Sequence, residues 1–181
     1  AFGGINGGMG GPIFEFKNFL LQNLDCHFLF VKDSRQLWYQ GGAEGMGKNI
    51  DELTLHLKQL INNINYTYII TIGNSMGGYA AILLGHLLNV DSVIAFSPQT
   101  FIDKPNRQFY KERRWHRIFN KIYNLPHSKY FDLKQLDLTN ITKIYLFYGD
   151  KLDKIHSKRL KAPNVILQKC GENNHNVAKI L

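Results

Sequence analysis

Only two cysteines, Cys26 and Cys170, occur among the 181 residues, too few for a disulfide framework. Together with the lack of a recognisable signal peptide, this predicts a reducing, cytoplasmic location. No apolar run approaches the roughly 20 residues that a membrane-spanning helix requires, so we expect no membrane span. The cysteines and histidines have no zinc-binding spacing, and neither a P-loop nor a G-x-G-x-x-G follows a predicted strand. We therefore expect no metal and no nucleotide cofactor.

The composition is that of a globular protein, with 44% hydrophobic, 13% aromatic and 20% charged residues. The length predicts one domain that covers residues 1–181. An excess of 22 Lys and Arg over 14 Asp and Glu gives a net charge of +8. Such a charge would suit an acidic partner, but it carries no information about the fold.

Apolar runs of strand length alternate with amphipathic stretches of helical length along the chain. The predicted strands are 27–31, 66–72, 92–96, 141–148 and 165–168. The predicted helices are one after an N-cap at Asn49, then 76–88, 108–123, 154–160 and one from 176. Strands separated by helices predict an α/β fold, with a mostly parallel sheet flanked by helices. Because the chain opens on a glycine-rich loop, we expect that the first strands of such a fold are missing.

The pentapeptide Gly73-Asn74-Ser75-Met76-Gly77 lies between a strongly apolar strand and a helix of small residues. This context is typical of a nucleophile elbow, in which a strained serine presents its hydroxyl above the sheet. Side chains two residues before or after the serine would collide across the turn, so glycine is expected at both positions. A glycine-rich turn that packs without chemistry is the alternative.

A serine nucleophile needs a histidine as its base and a carboxylate to orient the histidine. Asp150 and Asp153 follow the fourth predicted strand, and His175 follows the fifth. This order predicts Ser75 as the nucleophile, His175 as the general base and one of the two aspartates as the acid. Asp153 is slightly favoured because it lies deeper in the loop, and Asp150 would then cap a helix or support the loop. The other six histidines fit the order or the positions less well.

An acyl-transfer site also needs N–H donors for the negative charge that develops on the substrate oxygen. The backbone N–H of Met76, directly after the nucleophile, is one candidate. Gly3 or Gly4 is the other, in a glycine-rich loop placed where a strand would precede it. Trp38 and Tyr39 follow a predicted strand near the expected mouth of the site, where they either line the substrate pocket or only cover the sheet edge.

These motifs resemble those of the α/β-hydrolases, a superfamily of serine esterases, lipases, thioesterases and related acyl-transfer enzymes. The resemblance runs from residue 2 to the C-terminus, although its specific motifs cover only a fraction of that span. Further segments are similar to those of small bacterial hydrolases found near surface-polysaccharide genes: Phe2-Gly3-Gly4, Pro12-Ile13-Phe14-Glu15-Phe16, Asp33 with Gln36, Trp38-Tyr39 and Phe96-Ser97-Pro98-Gln99. The chain departs from the superfamily in lacking a large cap insertion and in the spacing of Asp150 and Asp153 from Gly149.

The resemblance implies a serine hydrolase without a cofactor, which cleaves an ester or thioester through an acyl-enzyme on Ser75. It assigns the base, the acid and the oxyanion donors to the residues already named. The implied substrate is a small-molecule or saccharide-linked acyl ester. An acyltransferase that uses the same residues is the nearest alternative, since the two differ only in whether water or another hydroxyl accepts the acyl group.

Residues 104–121 hold seven Lys or Arg and one acid, Glu112, and therefore most of the net positive charge. Aromatic residues are interleaved with them, in a region 97–130 that could form a basic and aromatic cap insertion. Three interpretations stay open: a solvated helix packed on its aromatic side, a cap that attracts an anionic substrate, or a nucleic-acid surface. The chain has no recognised nucleic-acid motif, which weighs against the last. In a non-enzymatic alternative, an α/β-hydrolase-like module binds a polyanion through residues 104–121.

Overall fold

The computed structural model describes residues 1–5, 14, 16–171, 175 and 177–180. Its centre is a four-stranded parallel sheet in the order β1-β2-β3-β4, formed by Ile70–Asn74, Ser92–Phe96, Lys143–Tyr148 and Val165–Lys169. The pairing runs from Ile70 opposite Ser92 to Tyr148 opposite Lys169. Parallel neighbours cannot be joined by a tight turn, and helical segments connect each pair of strands. The predicted α/β fold, with a parallel sheet flanked by helices, is confirmed.

Six α-helices occur in the described part of the chain. They are α1 Lys17–Asn23, α2 Ile50–Asn62, α3 Met76–Leu88, α4 Lys104–Phe109, α5 His116–Tyr123 and α6 Lys151–Arg159. Short 3-10 helices occupy Leu133–Gln135, Leu138–Asn140 and Val177–Ile180. The start of α2 agrees with its predicted cap, because the side chain of Asn49 accepts the backbone N–H of Glu52 at 2.9 Å. Within the residues described, no helix is long and apolar enough to cross a membrane.

Apolar side chains pack on both faces of the sheet, because alternate residues of a strand point to opposite sides. One face supports the larger core cluster, which includes the buried side chains of Leu53 in α2, Ile82 in α3 and Phe119 in α5. The other face carries a smaller cluster, in which the rings of Phe96 and Phe147 stack with centroids 4.7 Å apart. Both faces are therefore covered over β1, β2 and much of β3, whereas β4 is mostly exposed. The polar side chains considered below gather at the carboxyl ends of the strands.

Two of the predicted strands differ markedly in the structure, and the one predicted at 141–148 begins two residues later, at Lys143. Residues 27–31 form no strand: Val31 alone makes an isolated parallel bridge, to Phe2, which also bridges Gly73 of β1. Residues 27–30 are exposed or half-buried, so this apolar run lies at an edge and not inside the sheet. The strand predicted at 66–72 begins late, at Ile70. Its apolar start is not buried, since residues 66–68 are exposed.

The helix predicted at 108–123 is interrupted. Helices α4 and α5 are separated by residues 110–115, where Lys111 and Trp115 have φ values of 55° and 57°. A continuous α-helix of L-residues does not contain such conformations. Phe119 and Ile122 of α5 are buried in the larger core cluster. This part of the region 97–130 therefore packs into the body of the fold.

Several positions named from the sequence lie outside the described residues. They are positions 12, 13 and 15 of the motif at 12–16 and position 176, where the terminal helix is predicted to begin. Residues 6–11, which continue the glycine-rich loop after Gly3 and Gly4, also lie outside the described residues.

Candidate active site

Ser75 occupies a sharp turn between β1 and α3. Its backbone has φ 55° and ψ −113°, a conformation that residues other than glycine rarely adopt. Two hydrogen bonds hold the turn: the N–H of Ser75 donates to the carbonyl of Phe96 at 2.8 Å, and the N–H of Tyr79 donates to the carbonyl of Ser75 at 3.0 Å. The strained serine at a strand-to-helix turn has the local geometry predicted for a nucleophile elbow.

Two glycines of the pentapeptide are required by close backbone contacts. A Cβ on Gly73 would lie 2.2 Å from the carbonyl oxygen of Gly77. A Cβ on Gly77 would lie 2.2 Å from the carbonyl oxygen of Phe2. Neither oxygen belongs to a side chain that could move aside, so glycine is required at both positions. The predicted collision across the turn is confirmed for Gly73, whereas Gly77 is restricted by Phe2, which lies outside the turn.

His175 lies between Ser75 and Asp153. Its Nε2 is 3.1 Å from the Oγ of Ser75, and its Nδ1 is 2.8 Å and 2.9 Å from the two carboxylate oxygens of Asp153. An ionised carboxylate only accepts hydrogen bonds, so we assign the ring proton to Nδ1. Nε2 then has a lone pair that accepts the hydroxyl of Ser75. The three side chains are arranged as in sites that activate a serine hydroxyl.

Asp153, and not Asp150, is the aspartate that contacts His175. It is fully buried, in the first turn of α6. Burial alone would raise the pKa of Asp153, but the hydrogen bond from His175 and the charges of His175 and Arg114 outweigh burial and hold this pKa below its ordinary value. The side chain of Asp150 caps α6 and accepts the N–H of Asp153 at 2.8 Å. Asp150 thus supports the residue that faces the histidine.

Ser97 is a member of the site to which sequence reasoning assigned no role. It follows β2 directly, is fully buried and has a φ of 42°. Its hydroxyl donates to the backbone carbonyl of His175 at 2.9 Å. This bond ties His175 to the carboxyl end of β2. The sequence showed only that a serine follows a predicted strand. This position does not indicate that the hydroxyl bonds the carbonyl of His175.

The candidate oxyanion donors differ in their availability. Met76 is the first residue of α3, where a backbone N–H has no acceptor within the helix. The N–H of Gly3 donates to the carbonyl of Val31 at 3.0 Å, so the prediction of Gly3 as a donor is corrected: its N–H is already in use. The N–H of Gly4 donates to no acceptor within the described residues. Met76 and Gly4 are therefore the candidate pair.

Trp38 and Tyr39 are fully buried. The ring of Trp38 packs on Phe119 with centroids 4.5 Å apart. The hydroxyl of Tyr39 lies 2.9 Å from the carbonyl of Gly3 and 3.0 Å from that of Val31. These contacts favour the second sequence-based alternative, in which the two side chains cover the sheet edge and hold the loop at Gly3. They leave no exposed surface that could line an open mouth.

Asp33 fixes the turn from which these two aromatic side chains project. Its carboxylate accepts the N–H groups of Arg35, Leu37 and Tyr39 at 3.1 Å, 2.6 Å and 2.8 Å. Burial raises the pKa of Asp33 and outweighs the opposite effect of these bonds. The turn includes residues with positive φ, among them Trp38 at 53° and Tyr39 at 59°, and the three hydrogen bonds to one side chain hold it in this strained conformation.

Asp150, Asp153 and His175 bring possible metal-ligating atoms within 4.8 Å of one another. The carboxylate of Asp153 and Nδ1 of His175 already bond each other, and Nη1 of Arg114 lies 3.2 Å from both. A metal ion would be repelled by the guanidinium and would displace the bond that orients His175. The arrangement therefore suits proton transfer better than metal binding.

The cations of residues 104–121 divide into internal and external ones. Arg107 is 7% exposed and lies over the ring of Phe119 at 4.1 Å, and Arg114 reaches the site from the break between α4 and α5. Exposed cations are Lys104, Lys111, Arg113, Arg117 and Lys121. A separate cavity of about 500 Å³ is lined by Tyr110, Lys134, Lys154, Ile155, Lys158, Arg159 and Lys161. For α5, a solvated helix packed on its aromatic side is the interpretation that the structure favours.

Comparison with known proteins gives one family match. Among curated proteins, none matches the chain. Residues 42–173 match an uncharacterised protein family, UPF0227, over a span that includes Ser75 and Asp153 and ends just before His175. Because this span is well over half of the 181 residues, the chain belongs to the uncharacterised protein family UPF0227.

Proposed function

We propose that this protein is a serine hydrolase of the α/β-hydrolase superfamily, which cleaves the ester or thioester bond of a small-molecule or saccharide-linked acyl substrate. One observation carries the proposal: Oγ of Ser75 lies 3.1 Å from Nε2 of His175, whose Nδ1 lies 2.8 Å from Asp153. The strained turn at Ser75 and the position of the three side chains beyond the carboxyl ends of parallel strands support it.

The first half of the reaction forms an acyl-enzyme. Oγ of Ser75 attacks the acyl carbonyl carbon while Nε2 of His175 takes the seryl proton. Asp153 stabilises the imidazolium that results. The N–H groups of Met76 and Gly4 donate to the oxygen on which negative charge develops. The bond from the acyl carbon to the leaving oxygen or sulfur then breaks, and the proton on Nε2 passes to the leaving group.

The second half of the reaction releases the acid. Water attacks the acyl carbon and gives a proton to Nε2 of His175, and the same N–H donors bind the oxyanion again. The bond between the acyl carbon and Oγ of Ser75 breaks, and the proton returns from Nε2 to Oγ. Each proton that leaves serine or water thus passes through Nε2 of His175. The atoms and protons of the whole reaction balance with water as the second substrate.

A fluorophosphonate tests the proposal, because an activated serine displaces its fluoride and keeps the phosphonyl group. We expect one adduct on wild type, at Ser75, and none on Ser75→Ala by mass spectrometry. Ser34→Ala is the matched control, since Ser34 is exposed and its hydroxyl donates to the nearby Glu44 at 2.6 Å. Hydrolysis of p-nitrophenyl acetate should fall by about 10³-fold or more in Ser75→Ala and stay unchanged in Ser34→Ala.

A folded wild-type protein that takes no adduct and hydrolyses no ester would overturn the proposal and favour the polyanion-binding module. Salt-dependent retention on a heparin column would then be the next measurement. Product analysis with an added sugar separates hydrolysis from acyl transfer, because an acyltransferase would release acylated sugar in place of free acid.

A further inference from the structure

Arg114 and Glu112 form an ion pair next to the contact between Asp153 and His175. Arg114 donates to Glu112 from Nε at 2.9 Å and from Nη2 at 2.6 Å, and it donates to Asp153 from Nη1 at 3.2 Å. The side chains of Glu112 and Asp153 are 1% and 0% exposed, and that of Arg114 is 23% exposed. One guanidinium therefore bridges two buried carboxylates, one of which orients His175.

Glu112 has a second partner, the buried ring of His156. The N–H of Thr100 donates to Nδ1 of His156 at 3.1 Å, so Nδ1 carries no proton and the ring is neutral. Nε2 of this ring lies 3.3 Å from the carboxylate of Glu112 and donates to it. Burial lowers the pKa of His156 despite this bond, in agreement with a neutral ring. His156 thus contributes a hydrogen bond to Glu112 but no charge.

The three charged side chains behind His175 leave a single net negative charge. Arg114 carries +1 between Glu112 and Asp153, which carry −1 each, so the three together carry −1. Nη1 of Arg114 is 3.2 Å from Nδ1 of His175, where an unpaired cation would oppose the formation of an imidazolium. Glu112 cancels this cation and leaves the charge of Asp153 to act on the histidine. Among the residues that the structure describes, Asp150 at the start of α6 also has a carboxylate close to His175.

The pKa values of the set agree with full ionisation. Burial acts to raise the pKa of Glu112, but hydrogen bonds from His156 and Arg114 and the charge of Arg114 hold it well below its ordinary value. Burial acts to lower the pKa of Arg114, but its bonds to Glu112 and the charges of Glu112 and Asp153 raise it overall. Both carboxylates and the guanidinium are therefore charged throughout the neutral range.

We propose that Glu112 and Arg114 are positioning residues of the site. Arg114 fixes the carboxylate of Asp153, and Glu112 neutralises Arg114, so that the pair sets the charge that faces His175 without touching substrate. The kinetic part of this inference rests on the proposed function, whereas the charge argument concerns the histidine alone.

Three variants change the charge behind His175 in opposite directions. Arg114→Met leaves two carboxylates, which favour the imidazolium, so the acid limb of kcat/KM against pH should move up by about one pH unit. Glu112→Gln leaves Arg114 unneutralised, so the limb should move down and kcat should fall. The double variant restores a charge of −1 and should return the limb close to its wild-type position. Arg113→Met removes an exposed neighbouring cation and is the matched control, with no displacement expected.

An NMR titration of the His175 ring gives the same information without catalysis. Its signal is assigned by comparison with His175→Gln, and the neutral His156 is followed separately. The inference is supported if the titration midpoint of the His175 ring moves in opposite directions in the two single variants and returns close to its wild-type position in the double variant. Folded variants that all lose activity while the limb and the titration stay in place would overturn it, because a purely structural pair would behave in that way.

The two proposals can fail separately. If the ring titration moves as expected but no hydrolysis depends on Ser75, the proposed function fails and the charge argument stands. Where Arg114→Met does not fold, Arg114→Lys carries the test, because it keeps the charge but not the fork of donors. Arg114→Lys should lower kcat and leave the acid limb of kcat/KM against pH at its wild-type position. A limb that moves by a full pH unit in Arg114→Lys would overturn the inference.

Discussion

Replacing Asp153 with asparagine removes the charge that faces His175 and keeps the size of the side chain. Nη1 of Arg114 donates to Oδ1 of Asp153 at 3.2 Å, so in the variant the amide oxygen takes the place of Oδ1. The amide NH2 group then takes the place of Oδ2, which lies 2.9 Å from Nδ1 of His175. An N–H donor at this place favours the tautomer in which Nδ1 accepts and the ring proton lies on Nε2, and the charge that stabilises the imidazolium is gone. Nε2 then no longer accepts the proton of Ser75. We expect kcat/KM to fall by about 10⁴-fold, or about 5 kcal/mol of transition-state stabilisation.

The assay is hydrolysis of p-nitrophenyl acetate by Asp153→Asn and by Asp150→Asn, with thermal melting to verify that both fold. Asparagine caps a helix about as well as aspartate, so Asp150→Asn keeps the cap on α6 and should lose less than about tenfold in kcat/KM. Equal losses in the two variants, or a larger loss in Asp150→Asn, would refute the assignment of Asp153 as the acid.

Two further predictions concern stability. Gly77→Ala should destabilise the fold by about 3 kcal/mol, or roughly 6–12 °C in Tm by thermal melting, because its Cβ would lie 2.2 Å from the carbonyl oxygen of Phe2. The pKa values of Glu112 and Asp153 are held below their ordinary values, against the effect of burial, by their hydrogen bonds and by Arg114. Their stabilisation is therefore present above about pH 4 and lost as the pH falls further, which urea unfolding at several pH values measures.

Each of these predictions has a control in the same chain. The Cβ of Gly41→Ala would have atoms of the Arg35 side chain as its nearest neighbours, the closest at 2.6 Å, and such a side chain can move. An equal loss of Tm in both glycine variants would contradict the steric argument. In Glu112→Gln, the free energy of unfolding should decline less steeply below about pH 4. A slope identical to that of wild type would exclude Glu112 as a source of the acid sensitivity.

The local sequence pattern correctly predicted those strands and helices that are surrounded by other parts of the fold on every side. Strand β2 and helix α3 have the bounds expected from the sequence, 92–96 and 76–88, because an apolar run between turn residues suffices for a central element. The run at 27–31 was predicted as a buried strand on the same grounds, and that prediction was wrong. Apolarity does not tell whether a run has partners along its length, and here only Val31 makes a bridge.

The site was predictable where it depends on strand ends and unpredictable where it depends on tertiary contacts. Ser75, Asp153 and His175 each follow a strand, and parallel strands bring their carboxyl ends to one edge. Glu112 and Arg114, by contrast, read as members of an exposed charged helix. The role proposed for them depends on the break between α4 and α5, which turns both side chains inwards. No local sequence pattern predicted that break.

The position of β4 links the site to the least buried part of the sheet. β4 is an edge strand of the described sheet, paired with β3, and four of its five residues are exposed. His175 follows it, 100 residues after Ser75 in the chain. A strand with few buried side chains opens at a lower free energy than the whole fold does. We expect opening of β4 to loosen His175, which Ser97 also ties to β2, while the turn at Ser75 stays bonded to Phe96 of β2. The contact between His175 and Ser75 is therefore expected to break at a lower free energy than the whole fold, which hydrogen exchange of the amides in β3 and β4 would measure.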